Sequence, residues 1–221
     1  MDILLVISRY NEDLQWLKEE PFNKYPSICY NKGVNDIFYK PDNMTVIKLD
    51  NVGRCDHTYI YHIIHNYDNL TEYTMFLPGS LDIEFKKKKA VKWINEIENK
   101  SSFVFIGYKG TIDYGFYLDK WIASNNKNKQ ENSEENLQKS EIRPYGKWYE
   151  TFFGNIPDSY YFTLGEVIGV DKEHILSRPK EEYEIFEEQL NQHSNPEVGH
   201  YFERSWGTIF NIDNNVPFIQ E

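Results

Sequence analysis

The residues of this chain that could do chemistry lie in a few short polar stretches, most of which follow an apolar run. Ser8-Arg9-Tyr10-Asn11-Glu12 comes directly after Ile3–Ile7. If that run is a buried strand, these side chains sit at its carboxyl edge, where open α/β sheets bind ligands. A plain core strand with a charged turn accounts for the same residues. Arg54 and His57 belong to a polar loop, Asp50–Thr58, ahead of an amphipathic segment. A helix starting there would attract phosphate through its free N–H groups and its dipole, with His57 and the amides after it at the terminus. Asp82 and Glu84 stand at i and i+2 after the apolar Tyr73–Leu77. Paired hard oxygen ligands of this kind hold Mg2+ or Mn2+ against a diphosphate in nucleotide-sugar enzymes, and a solvated pair is the alternative. His200 and Glu203, three apart on one helix with Gly207 a turn later, either line a pocket or pair at the surface.

These residues need elements to position them, and the pattern supplies an alternating order. Ile3–Ile7 is too short for a membrane span and too continuous for a one-sided strand, which fits a strand buried on both faces of a largely parallel sheet. Asp13 is placed to cap a helix from about Leu14. Ser27–Tyr30 and Thr45–Leu49 read as the second and third strands, and Tyr59–Tyr67 as a helix with Ile60, Ile63, Ile64 and Tyr67 on one buried stripe. A polar stripe of His57, Tyr61, His65 and Asp68 runs beside it. Tyr73–Leu77 is the fourth strand, closed by Pro78-Gly79-Ser80, and Ser102–Gly107 the fifth. Lys86–Lys89 opens a helix and reads as a solvated face. Asn125–Glu141 is a polar low-complexity tract expected to be a mobile loop. Beyond it come a short helix to about Phe153, a strand at Tyr160–Thr163 continued by Val167–Val170, and a helix capped by Ser177. A last helix opens at Asn195-Pro196, with Val198, Phe202, Trp206 and Ile209 inward.

Composition narrows the partners. The 221 residues carry a net charge of −11, and 16% are aromatic. A negative field of that size repels phosphate backbones, so no nucleic acid partner is expected. Two cysteines without metal spacing suit a reducing compartment, and no signal peptide or transmembrane run is visible, so the expected location is cytoplasmic. The Asn- and Lys-rich composition points to an AT-rich genome such as that of a large virus, in which case the site is the host cytoplasm.

Several of these blocks resemble a family of uncharacterised domains of unknown function found mostly in fungi, bacteria and large viruses. They are Ser-Arg-Tyr-Asn-Glu-Asp-Leu-Gln-Trp-Leu at 8–17, Asn51-Val52-Gly53-Arg54 with His57-Thr58-Tyr59, and Tyr61–Leu70 leading into Met75–Gly79. The tail matches as well, through Ile175–Pro179 and His200-Tyr201-Phe202-Glu203-Arg204-Ser205-Trp206-Gly207. The opening strand is also similar to the nucleotide-binding start of glycosyltransferases with the GT-A fold. The Gly165-Glu166 segment resembles the stretch where those enzymes place acceptor-side residues, often including the base. Where members of the uncharacterised family commonly carry Asp, His or Gln near 78–80, this chain has Pro78-Gly79-Ser80, which leaves metal dependence open.

The resemblance implies an α/β, Rossmann-like single GT-A-like domain with a mostly parallel central sheet flanked by helices. Residues 1–123 would form the nucleotide-binding half, 124–142 a mobile loop and 143–221 the acceptor half. The expected activity is a glycosyltransferase moving sugar from a nucleoside-diphosphate sugar to a glycan or other hydroxyl acceptor. Ser8, Arg9, Asn11, Glu12, Arg54, Gly79, Ser80 and His200 would bind the donor. Glu166, Glu203 and His57 would be catalytic, and Asp82 and Glu84 would hold Mn2+ or Mg2+ if a cation is used. A non-catalytic nucleotide- or carbohydrate-binding module on the same scaffold is the alternative.

Overall fold

A strand without a polar face is stable only where both faces are covered, and Ile3–Arg9 (β1) occupies such a place. The computed structural model describes residues 2–100, 102–119 and 137–221. Among them, β1 pairs in parallel with Ser27–Asn31 (β2) on one side and with Tyr73–Pro78 (β4) on the other. Met44–Lys48 (β3) extends the parallel sheet beyond β2, and Ile168–Asp171 (β7) closes the β4 edge antiparallel. The order β3-β2-β1-β4-β7 makes a mixed α/β architecture with a mostly parallel sheet. The chain walks outward from β1 to β3 and then returns to the opposite side of β1, so the strand order reverses between the carboxyl ends of β1 and β4. A second, three-stranded sheet sets Phe105–Gly110 (β5) between Tyr160–Phe162 (β6) and Phe218–Gln220 (β8).

The helices cover the two faces of the large sheet. Phe76 of β4 lies 4.9 Å from Tyr59 of Arg54–Asn66 (α1) and 6.5 Å from Trp206 of the last helix, ring to ring. Tyr73, three residues earlier and so on the opposite face, meets Trp93 of Glu84–Lys100 (α2) at 6.1 Å. Tyr145–Phe153 (α3), Lys172–Leu176 (α4), Lys180–Leu190 (α5) and Glu197–Ile209 (α6) complete the helices used below. Rings of α3, α5 and α6 interleave around Trp148, which is fully buried. No helix among the described residues is long and apolar enough to cross a membrane.

Several expectations need correction. The helix expected from Tyr59 begins five residues earlier, at Arg54, because Asp56, His57 and Thr58 point into protein and break the apolar period. The segment after Asp13 is a 3-10 turn, Gln15–Lys18. Leu14 is left-handed there, so Asp13 holds only the Gln15 amide, at 3.0 Å. Tyr160–Val170 is not one strand: Gly165 (φ 77) and Glu166 (φ 62) turn the chain out of the small sheet and into the large one. The lysine run is not a solvated face throughout. Lys86 and Lys89, a turn apart on α2, are buried, and Lys89 binds Glu221 at 2.7 Å, the Leu164 carbonyl at 3.0 Å and the Thr163 hydroxyl. Ser177 donates to the His174 carbonyl at 2.7 Å instead of capping α5, whose N-cap is Pro179. Most of the tract expected to be a mobile loop, residues 124–136, lies outside the described residues.

The seam between α2 and β7 is closed by a residue without a side chain. A Cβ at Gly169 would fall inside the indole of Trp93, whose N–H donates to the Val104 carbonyl at 2.9 Å. A Gly169→Ala substitution is therefore expected to destabilise the fold by about 1–3 kcal/mol through overpacking. Urea unfolding followed by tryptophan fluorescence measures this, and an unchanged midpoint would contradict that packing.

Candidate functional site

A carboxylate drawn into protein needs opposite charge beside it, and Glu166 has two cations from two helices. Its Oε1 accepts from Arg54 Nη2 at 3.2 Å and its Oε2 from Lys86 Nζ at 3.1 Å. Arg54 is the first residue of α1, Lys86 lies in the first turn of α2, and Glu166 occupies the turn between β6 and β7. From α6, His200 Nε2 lies 3.3 Å from Arg54 Nη1, and His200 Nδ1 lies 3.9 Å from Glu203. Glu203 also accepts the Gly165 N–H at 2.8 Å, and Asn195 Oδ1 faces Arg54 at 3.4 Å. Lys86 further reaches Ser80 Oγ at 3.5 Å, just beyond the carboxyl end of β4. Segments from most of the chain thus converge beside the point where the strand order reverses, the place where open α/β sheets bind ligands.

The electrostatics follow from burial set against pairing. Burial alone would raise the Glu166 carboxyl, but Lys86 and Arg54 overcome it and hold that group far below the usual carboxylate range. Burial acts the same way on Glu203, and a hydrogen bond from His200 with the Gly165 amide leaves it lowered. His200 is pushed down by burial and is neutral at pH 7. Because its Nε2 faces a guanidinium N–H, which can only donate, the neutral ring carries its proton on Nδ1, toward Glu203. Asp56 is the opposite case: burial, then the nearby Glu166, push it well above the carboxylate range although Trp206 Nε1 donates to it at 2.9 Å. Lys32 gives its protons to the carbonyls of Val52 and Arg54, and so braces the entry to α1.

The structure brings together Arg54, Glu166, His200, Glu203 and Ser80 from the residues singled out in the sequence. It places the others elsewhere. Arg9 is 1% exposed; its Nε donates to the Glu12 carbonyl at 2.7 Å and its Nη1 to Asn31 Oδ1 at 2.6 Å and the Asn35 carbonyl at 2.7 Å. It pins two loops together over the Phe38 ring. Glu12 caps the turn by accepting the amides of Tyr10 at 2.8 Å and Asn11 at 3.1 Å, and Asn11 is half-buried there. Ser8 Oγ bonds Thr58 Oγ1 at 2.9 Å, and the Gly79 amide donates to the Ser8 carbonyl at 2.7 Å. His57 is not at the terminus of α1. Its amide already bonds the Gly53 carbonyl at 2.9 Å, and its buried ring faces Glu187 of α5 at 3.8 Å.

Asp82 and Glu84 do not fit a cation. Both are exposed, Glu84 is paired with Lys88 at 2.6 Å, and they border a shallow surface groove of about 600 Å³ along α2. No group of three or more His, Cys, Asp or Glu able to hold a metal occurs among the described residues. Lys86 and Asn195 belong to the site and were not singled out from sequence. For Lys86 a signal existed: it shares a stripe with Ala90, Trp93 and Ile97, all buried, so a lysine at that position faces the interior. Asn195 carried none.

The family model described as protein of unknown function (DUF3431) matches residues 4–217, and the chain belongs to that family. No curated protein matches it.

Two outcomes test the electrostatics. Glu166→Ala removes the carboxylate shared by two buried cations and is expected to cost about 3–5 kcal/mol of stability, read from urea unfolding. His57 is lowered to about 3 by burial and by Lys32. A folded-state value below the unfolded value of about 6.5 means that the unfolded chain binds the proton more readily. Stability is therefore complete above pH 6.5 and falls as pH drops toward 3. His57→Phe should flatten that part of the profile, and identical slopes for the two proteins would rule the assignment out.

Proposed function

We propose that this member of the DUF3431 family is a glycosyltransferase that binds a nucleoside-diphosphate sugar where the ends of β1 and β4 meet the first turns of α1 and α2, in a GT-A-like arrangement. The observation that carries this reading is the buried cluster of opposed charges at the reversal of strand order. Arg54 and Lys86 are positioned to take up the charge that develops on a departing diphosphate, and fixed cations in a partly desolvated place do this without reorganisation. They supply what a divalent ion supplies in metal-dependent enzymes. As Asp82 and Glu84 do not fit one, no step is routed through a metal.

In the transfer, the bond between the anomeric carbon and the diphosphate oxygen breaks, and the electron pair leaves with the nucleoside diphosphate. The acceptor oxygen bonds to that carbon and gives up its proton. Glu166 does not serve as the base in this scheme, because its carboxylate is directed to the two cations that take up the diphosphate. Glu203 takes that role: its Oε1 accepts the Gly165 amide at 2.8 Å, and its Oε2 faces His200 and Arg204. His200 positions it. The half-buried turn at Asn11 and Glu12 supports the nucleoside side, with Arg9 holding that turn in shape rather than touching the ligand.

A second reading is favoured by the same pairing, since the Glu166 carboxylate already occupies both cations: the chain then binds a nucleotide or carbohydrate without turning it over. Incubation with a panel of nucleotide sugars separates the two. Transfer or donor hydrolysis is expected, unaffected by EDTA, with a nucleoside-diphosphate-induced rise in Tm. Glu203→Gln should lower kcat by about 10²–10⁴-fold with nucleotide affinity unchanged. Because the Glu203 carboxyl lies below its usual range, the acid limb of the kcat profile should fall below about pH 4.5. Nucleotide binding with no turnover from any donor would leave the binding module; neither binding nor turnover would dismiss both.

A further inference from the structure

Glu166 sits where an anionic ligand of Arg54 and Lys86 has to be. Its two oxygens are divided between a guanidinium on α1 and an ammonium on α2, at 3.2 and 3.1 Å, which is how a bridging oxyanion engages two cations. The side chain is held there at a conformational cost. Glu166 has φ 62, the left-handed region that side chains other than glycine rarely adopt, directly after Gly165 at φ 77. The backbone of the turn is fastened separately from the carboxylate. Tyr59 Oη donates to the Glu166 carbonyl at 2.7 Å and Glu203 accepts the Gly165 N–H at 2.8 Å, so the carboxylate can swing away while the turn stays in place.

A second feature points to an anion with more oxygens than a carboxylate has. Asn195 is 2% exposed, its Oδ1 faces Arg54, and its Nδ2 has no hydrogen-bond partner. A buried amide N–H left without a partner is costly. It lies beside the first turn of α1, whose leading N–H groups and dipole also favour an anion. The side chains of Arg54, Glu166 and Lys86 keep 22%, 13% and 10% exposure, so the cluster touches solvent on the Arg54 side and exchange needs no unfolding.

We infer that Arg54, Lys86 and Asn195 form a diphosphate site and that Glu166 is its built-in occupant, displaced when the ligand binds. The inference rests on the diphosphate role given to the cluster above and adds the competitor. With no ligand, the internal carboxylate bridges the two buried cations. On binding, the phosphate oxygens replace it and one of them satisfies Asn195. The exchange lowers the affinity of every anion by the same displacement cost, so only a ligand with enough oxygens to offset it, such as a diphosphate, binds appreciably.

Isothermal titration of pyrophosphate, with no metal and no sugar, tests this on the whole chain. Glu166→Gln keeps the shape and removes the competing charge, and is expected to bind pyrophosphate at least tenfold more tightly than the unaltered protein. Glu166→Asp, too short to span both cations, should show a smaller gain, and it keeps the test decisive if the glutamine variant fails to fold. Lys86→Met should lose binding, and orthophosphate should bind more weakly than pyrophosphate throughout. Equal or weaker pyrophosphate binding by the Glu166 variants overturns the inference, as does an absence of binding in every form. Sugar transfer by the unaltered protein without an affinity gain in the variants removes the competitor alone. An affinity gain with no transfer from any donor leaves the diphosphate site standing and removes the transferase.

Discussion

The attraction of one carboxylate for two cations ties this molecule together where the turn between its two sheets meets two helix starts. Glu166 joins the first turn of α1 to the first turn of α2 across the turn that links the two sheets. Burying a charge is costly, and an ion triad offsets that cost only when each member keeps its partners. The arrangement therefore constrains its surroundings. Lys32 fixes the entry to α1, Lys89 fixes Thr163 and Leu164 ahead of the turn, and Glu203 fixes the Gly165 amide. A site built this way is stiff in its backbone, and it can change state through a single side chain.

Buried charge is used in the same manner elsewhere, to fasten loops. Arg9 holds two adjoining turns at the end of β1 through its Nε and Nη1. Glu197, fully buried at the start of α6, accepts the amides of Leu118 and Ser140 at 2.8 Å and pairs with Arg143 at 3.0 Å. In both cases a side chain with several bonding positions replaces the regular hydrogen bonding that irregular backbone cannot make for itself. The distinction matters for reading chemistry from residue type. An arginine at the carboxyl edge of a strand has the right chemistry for phosphate, yet here its geometry serves the scaffold, and Arg54 is the member of the triad that reaches furthest toward solvent.

Much of the large sheet was legible from periodicity. The apolar run at Ile3–Ile7 and the run before Pro78 lie within a residue or two of the observed strands, because burial on both faces leaves an unbroken apolar signature, and the partly exposed third strand was legible from its β-branched Thr45–Ile47. The stripe of Ile60, Ile63 and Ile64 was equally plain. What failed was local. The start of α1 was hidden by inward-facing polar residues, and the break at Gly165-Glu166 was hidden because a turn between sheets leaves no periodic trace. Lys86 was obscured by its neighbours: four lysines in a row read as solvent-facing, and only the helical period separates the two that turn inward.

The sequence by itself determined most of the elements of the large sheet and their order, since apolar spacing and turn residues act over a few positions of the chain. It also held every residue of the charge cluster, at positions from 54 to 203. Which of them meet was decided only by the tertiary structure. Coulombic pairing in a low-dielectric interior depends on distance and burial, and neither is set until the strands have taken their order and the helices have closed over both faces of the sheet.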